Sequence, residues 1–343
     1  MRALNWKVAT KLKAFEHLSL QVVVPTVRGR EAWLDECLES IRGQAGGKEI
    51  RVLVSGNGTS ETTRRIALSY DCDFKLQPER VSPESHMLII HSYFESDYVW
   101  LIGDDDHMSP NALSRVMALI EQAEETGLRF AAVIGRVQYF SAPDKSDLGV
   151  PMPSFWKPGT YSHLKDIGEA TLGGNHLGAF VFDSQLFTAQ DLEKYGGTQH
   201  NIFGAFWEGL ERAQGATTYV LDDVLLHMRQ AEKEWDASPT EVRFGVKRLV
   251  KLLPHEIASH RVHYRNTHLT RTKALELASV ATKEDRRVLQ ALVAEFDSFS
   301  IGSRGLARMS PRTARLLYNL ALSWMGTINF LYSRSFKLRN DKG

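Results

Sequence analysis

Residues 97–113 read DYVWLIGDDDHMSPNAL, and this stretch decides the fold. The run YVWLIG (98–103) is apolar, short and rich in residues that suit a buried strand. It ends directly in Asp104, Asp105 and Asp106. Adjacent carboxylates repel one another and add nothing to a core. At the carboxyl end of a strand they mark the place where open α/β sheets bind ligands. Ser109-Pro110 then opens a helix whose Leu113, Val116, Met117 and Ile120 fall on one face.

Working outward from that stretch, the text alternates. SLQVVVPTV (19–27) reads as a buried strand that stops at Pro25, where the ladder loses a donor. REAWLDECLESIRGQ places Trp33, Leu34, Cys37, Leu38 and Ile41 at helical spacing. EIRVLV (49–54) is a second strand, followed by the turn Ser55-Gly56-Asn57-Gly58. Thr59 or Ser60 caps a helix over about 61–70, and Ser82-Pro83 opens another. FAAVIG (130–135) is a further strand. The alternation predicts a doubly wound α/β sheet. Residues 140–175 are loop-rich, AFVFD (179–183) and TTYVLDDVLLHM (217–228) read as strands, and helical text runs between them to about 214. From about 240 the chain reads as helices. The expected organisation is a basic segment over 1–18, an α/β half over 19–135, a second half with a long loop over 136–235 and a helical region over 236–343.

Composition narrows the class. The 343 residues are 43% hydrophobic and 24% charged, which fits a globular protein and excludes collagen-like or disordered chains. Two cysteines, Cys37 and Cys72, are too few for a disulfide scaffold and fit a reducing compartment. No signal peptide is read at the start. The net charge of +1 points away from nucleic acid, but it is unevenly spread. Residues 1–20 carry +3, residues 301–343 carry +7, and the body between them is acidic. Within the tail, LLYNLALSWMGTINFLY is apolar and aromatic with basic flanks. It is read as a helix lying on an anionic membrane surface, which implies a peripheral protein at the cytoplasmic face.

Asp104 and Asp106 alternate along an extended segment and can approach one hard divalent cation together. Magnesium and manganese favour carboxylates plus substrate phosphates, so a nucleotide diphosphate is the expected companion.

VVVPTVRGREAWLDECLESIRGQ, IRVLVSGNGTSETTRRIA and DYVWLIGDDDHMSPNAL together resemble the nucleotide-binding half of family 2 glycosyltransferases, over about residues 19–135. The resemblance implies the glycosyltransferase A-type fold, a nucleotide-sugar donor, a Mn²⁺ or Mg²⁺ cofactor, inversion by direct displacement, and a cell-envelope glycan or lipid-linked acceptor. It places Pro25, Thr26 and Val27 at the nucleotide, Asp104 near the ribose and Asp106 on the metal that bridges the diphosphate; Arg28 and Asp105 beside them are further candidates for binding the donor, and Asp104 for the metal. Family members carry an aspartate in the turn after the second strand. Here Gly56 stands at that position and Asn57, both donor and acceptor, is the candidate for reading the base edge.

Transfer needs a base for the acceptor hydroxyl. The Glu-Asp pair typical of the family is missing from KYGGTQHNIFGAFWEGLERAQG, which leaves His200 and Glu208 as candidates. GGNHLGAF (173–180) would project Asn175 and His176 toward the acceptor or diphosphate. In LDDVLLHMRQ (221–230), His227 is a candidate late metal ligand and Arg229 a candidate diphosphate contact, with Asp222-Asp223 better read as a strand-edge turn. P-loop, dinucleotide, zinc and serine-hydrolase patterns are absent. Two other readings stay open: a non-catalytic membrane-associated sugar-nucleotide binder, and a nucleotidyltransferase, for which PTVRGR has too few glycines.

Overall fold

The computed structural model describes residues 17–45, 50–141, 145–146, 148–149, 158–167, 176–196 and 201–229. The basic ends, the helical region from 236, most of the 140–175 loop, Asn175 and His200 lie outside these residues.

The described residues build one nine-stranded mixed sheet with flanking helices. Its strands are β1 (Leu20–Val27), β2 (Arg51–Asn57), β3 (Asp73–Gln77), β4 (Tyr98–Leu101), β5 (His107–Met108), β6 (Phe130–Phe140), β7 (Gly159–Tyr161), β8 (Phe180–Asp183) and β9 (Thr217–Arg229). The helices are α1 (Glu31–Ala45), α2 (Glu61–Ser69), α3 (Pro83–His91), α4 (Ala112–Thr126), α5 (Leu164–Ile167), α6 (Ala189–Lys194) and α7 (Asn201–Arg212). The strand order is β3-β2-β1-β4-β8-β6-β9-β5, with β7 paired to β9. β3, β2, β1 and β4 run parallel, while β8 is antiparallel to both β4 and β6. The expected boundary at 135 falls inside β6, so both halves of the chain share this sheet.

β1 is central and covered on both faces: Val22, Val23 and Val24 are fully buried. That is why its text is a continuous apolar run and does not alternate. The strand does not stop at Pro25 as expected but continues to Val27. The reason is register. Val23 offers its carbonyl to Ile102 on the β4 side, so Pro25, two residues on, faces the same way. β4 has already ended opposite Val23, and the missing N–H costs no ladder bond.

The caps follow the text. Ser60 and Ser82 accept from the backbone N–H groups of Thr63 and Ser85, and Pro83 takes the first helical position of α3. α4 differs: it starts at Ala112, after Asn111 in the left-handed region (φ 65°), and not at Ser109-Pro110. Asparagine tolerates that conformation, and His107–Met108 pair with β9 just before it. β3 is unassigned in the sequence reading because DFKLQ is a half-exposed edge strand with no apolar run.

Two close approaches fix the β8 side of the sheet. Trp100 Nε1 donates to the Gly178 carbonyl at 2.8 Å. In α7, a Cβ at Gly209 would lie 2.5 Å from the Leu186 carbonyl oxygen, a backbone atom that cannot swing aside. Gly209→Ala is therefore expected to lower stability by about 1–3 kcal/mol despite its better helix propensity. Thermal unfolding of the full chain measures this, and an unchanged or raised Tm would contradict it.

Candidate active site

β1 leads to β2 and β3 on one side and has β4 on the other, so the crevice between the carboxyl ends of β1 and β4 is the topological switch point of the sheet. Pro25, Thr26 and Val27 end β1 there, Arg28 is exposed in the following turn, and the aspartate triplet follows β4. Thr26 Oγ1 donates to Asp104 Oδ2 at 2.6 Å, and Arg30 donates to Asp104 Oδ1 at 2.8 Å. The same guanidinium group lies 3.8 Å from Asp105 Oδ2 and 5.3 Å from the Trp33 ring centre. The three aspartates are only 3%, 5% and 6% exposed. Burial pushes the Asp104 carboxyl upward, and Arg30 and Thr26 offset only part of that push.

Gly103 makes room for the other two. A Cβ there would sit 3.0 Å from Asp105 Oδ1 and from Asp106 Oδ2, so both carboxylates fold over that glycine. Asp106 Oδ1 accepts the backbone N–H of Arg229 at 3.2 Å.

The Arg229 side chain turns inward. Its guanidinium lies 4.8 Å from the Phe140 ring centre and 5.8 Å from that of Trp33. It donates through Nε to the Asp105 carbonyl at 3.2 Å, pairs with Glu36 and meets His107 Nε2 at 3.1 Å. Arg229 is 4% exposed, so here it braces the triplet loop from beneath and does not face solvent as a free diphosphate contact would. His227 pairs across the ladder with His107 and shares its face of the sheet, with Nδ1 buried and unbonded among the described residues. Among those residues no three His, Cys, Asp or Glu side chains are arranged to hold a metal ion by themselves, so Asp104, Asp106 and His227 do not form a ready-made three-ligand cage.

The donor set still suits a hard cation. Oxygen ligands converge over Gly103. Around them Asp104, Asp105, Asp106 and Glu36 face Arg30, Arg229 and Lys145, an excess of negative charge among the described residues. Two carboxylates plus substrate phosphates is the usual magnesium or manganese arrangement.

On the β2 side, the Asn57 amide is committed to structure. Its Nδ2 donates to the Val81 carbonyl at 2.9 Å and its Oδ1 accepts the Val81 N–H at 2.8 Å. Two of the bonds that would read a base edge are spent on holding the 78–82 turn. At Gly56 a Cβ would meet Thr59 Oγ1 at 2.2 Å and the Phe74 ring at 3.2 Å, so a side chain there would require Thr59 to turn aside. Beneath this turn Ser55 Oγ and His86 Nε2 share a buried 2.9 Å hydrogen bond. Burial lowers the His86 pKa to about 4.

On the acceptor side, Glu208 accepts from Lys194 Nζ at 2.7 and 2.8 Å and from Tyr195 Oη at 2.6 Å, and Arg212 binds Asp191 beside it. This network ties α6 to α7 and accounts for Glu208 without a catalytic role. Asp222 and Asp223 pair with Arg136 and Arg115, and they lie within β9 at a shift of its register against β6, not in the expected strand-edge turn. His176, by contrast, reaches Tyr139 on β6 at 2.6 Å. Sequence reasoning missed Arg30, Glu36, His107 and Tyr139. The two arginines of PTVRGR were the signal for the first; the others sit in ordinary amphipathic or strand text.

Residues 21–188 match the sequence model of glycosyl transferase family 2. That stretch is a family 2 glycosyltransferase domain. The crystal structure of TarS 1-349 from S. aureus in complex with UDP-GlcNAc is similar at a TM-score of 0.57 and 16% identity, covering 80% of this chain and 79% of that one. A second S. aureus TarS crystal structure is similar at 0.55 and 16% identity over 84% of this chain, which spans only 50% of that longer chain. At such identity the likeness speaks for the fold, which is the glycosyltransferase A type. A comparison with curated proteins gave no match.

Two outcomes follow from this geometry. His86 is held neutral in the fold and protonates more readily when unfolded. Between about pH 6.5 and its folded value of about 4, the unfolded state therefore binds more protons and stability falls as the solution is acidified. The full effect is at most about 3 kcal/mol. His107 is shifted to a similar value and titrates in the same window. The difference between wild type and His86→Gln in denaturant titrations at pH 7 and pH 4.5 isolates the His86 share, and parallel losses in both proteins would refute it. Arg229→Met should weaken Mn²⁺ binding about tenfold or more by releasing the triplet loop. Calorimetric titration with Mn²⁺ and UDP checks this, and an unaltered affinity would contradict the bracing role.

Proposed function

We propose that the protein moves a sugar from a nucleotide-sugar donor to a hydroxyl of a cell-envelope glycan or lipid-linked acceptor, with inversion and with the help of Mn²⁺ or Mg²⁺. The observation that carries this is the buried carboxylate group at the switch point of a family 2 domain, fixed by Thr26, Arg30 and the Arg229 backbone. The nucleotide would lie over Pro25, Thr26 and Val27, with Arg28 at the mouth. Asp104 is already held by a threonine and an arginine, which suits it to face the ribose better than to carry the ion. Asp106 would hold the ion beside Asp105, with His227 as the nearby late candidate. When bound, the cation supplies Lewis-acid neutralisation of the leaving diphosphate.

The chain's own groups supply the rest. Trp33 and Phe140 flank the Arg229 guanidinium beneath the triplet, and their apolar rings strengthen the charge interactions there. Thr26 and Arg30 fix one carboxylate rotamer in advance, so little reorganisation remains when the donor arrives. A base takes the acceptor proton from the acceptor side, where His200 is the sequence candidate. The basic, aromatic-rich tail supports docking on an anionic membrane surface at the cytoplasmic face. Among the described residues no helix is long and apolar enough to cross a membrane.

A calorimetric screen of UDP, GDP, dTDP and CDP with and without Mn²⁺ should reveal one base whose binding depends on the ion. Asp106→Ala should remove that dependence and cut diphosphate release from the matching sugar nucleotide by about two orders of magnitude or more. Asp104→Ala should weaken nucleotide binding itself. Metal-independent binding, or wild-type turnover in Asp106→Ala, would overturn the proposal. Binding without any turnover would favour a sugar-nucleotide binder.

A further inference from the structure

Tyr139 lies near the end of β6, and its Oη is 2.6 Å from Nε2 of His176, with the rings edge to face at 5.5 Å between centres. Both residues are partly exposed. Tyr139 pairs in register with Met228, and the next residue, Arg229, gives its N–H to Asp106. The pair therefore stands one strand over from the anchor of the carboxylate group. Phe140, His227 and Arg229 share the opposite face, because side chains alternate along β6 and β9. The phenol is raised by burial and then by the charge of Asp106, which keeps it protonated near neutrality.

The bond is not needed to hold its own segment. Residues 177–179 are already fixed by the Trp100 hydrogen bond to Gly178, and a Cβ at Gly178 would stand 2.7 Å from Leu226. A short O–H···N contact between two titratable, partly exposed groups near a carboxylate centre has the chemistry of a proton path.

We propose that Tyr139 and His176 act as a unit on the acceptor hydroxyl, Tyr139 as the catalytic residue that touches it and His176 as the positioning residue behind it. The inference rests on the transferase reading above. Tyr139 Oη donates its proton to His176 Nε2 and accepts the hydrogen of the acceptor hydroxyl. As the acceptor oxygen forms its bond to the anomeric carbon, the bond from that carbon to the diphosphate oxygen breaks. The nucleoside diphosphate leaves with the electron pair. The acceptor proton passes to Tyr139 Oη while the phenol proton passes to Nε2, and the imidazolium then releases its proton to water.

The test uses the full chain and water as the acceptor, with UDP-glucose, UDP-N-acetylglucosamine and GDP-mannose as probes and release of UDP or GDP as the signal. Tyr139→Phe and His176→Gln should each slow release about a hundredfold. Both should leave the affinity for UDP or GDP with Mn²⁺ within about twofold, which a folding defect would not do. The double variant should be no slower than either single one, because the two act as one unit. Wild-type release in Tyr139→Phe, or losses that multiply in the double variant, would overturn the proposal. So would abolition of release in His200→Ala with Tyr139→Phe still active. A wild-type chain that binds the nucleotide with Mn²⁺ but releases no diphosphate from any probe overturns the transferase reading itself, and that result is visible before any variant is made.

Discussion

Three carboxylates buried side by side are the constraint around which this structure is arranged. Isolated, they would protonate or unfold the loop that carries them. Asp104 is stabilised by a hydroxyl from β1 and a guanidinium from the turn after it. Asp106 is held by a backbone N–H at the end of β9. The loop between them is braced by Arg229, itself sandwiched by Trp33 and Phe140 and neutralised by Glu36. These contacts draw on β1, α1, β6 and β9, elements far apart in sequence. The nine-stranded sheet can therefore be understood as the frame that brings those partners to the end of β4.

Much of the frame was legible in the text because the same physics writes both. β1 and β4 are buried on both faces and so appear as unbroken apolar runs. Ser60, Ser82 and Pro83 announce helix starts because orphan N–H groups need acceptors and a ring that lacks one fits there. β3 was not legible, since an exposed edge strand has no apolar signature. Pro25 misled because sequence shows a missing donor but not which neighbour it faces. Only the register shows that β4 has already ended on that side.

The site was legible where chemistry is concentrated in adjacent residues and illegible where it is assembled from distant ones. Asp104, Asp105 and Asp106 stand out because no packing role explains them. Arg229 and Glu208 looked like free polar groups beside strands and helices, yet their ends are committed. One braces a loop, and the other joins two helices. Asn57 is similar, its amide spent on Val81 before any base arrives. Identity of a side chain gives its capacity for hydrogen bonds, and only the fold shows how much of that capacity is already used.

The two sides of the crevice differ in that respect. On the β2 side the Asn57 amide is bonded to Val81 and Ser55 to His86, while Thr59 Oγ1 is buried without a hydrogen-bond partner among the described residues. A nucleobase entering there would meet the outline of the 55–59 and 78–82 turns and the Thr59 hydroxyl, and base selectivity should arise from these. On the β6 side Tyr139 and His176 satisfy each other and are only partly buried. Tyr139 can keep that bond while its oxygen accepts the hydrogen of a substrate hydroxyl, so no internal bond has to be given up. The rigid side suits recognition of a constant group, the nucleotide, and the other side suits chemistry on a group that must give up a proton.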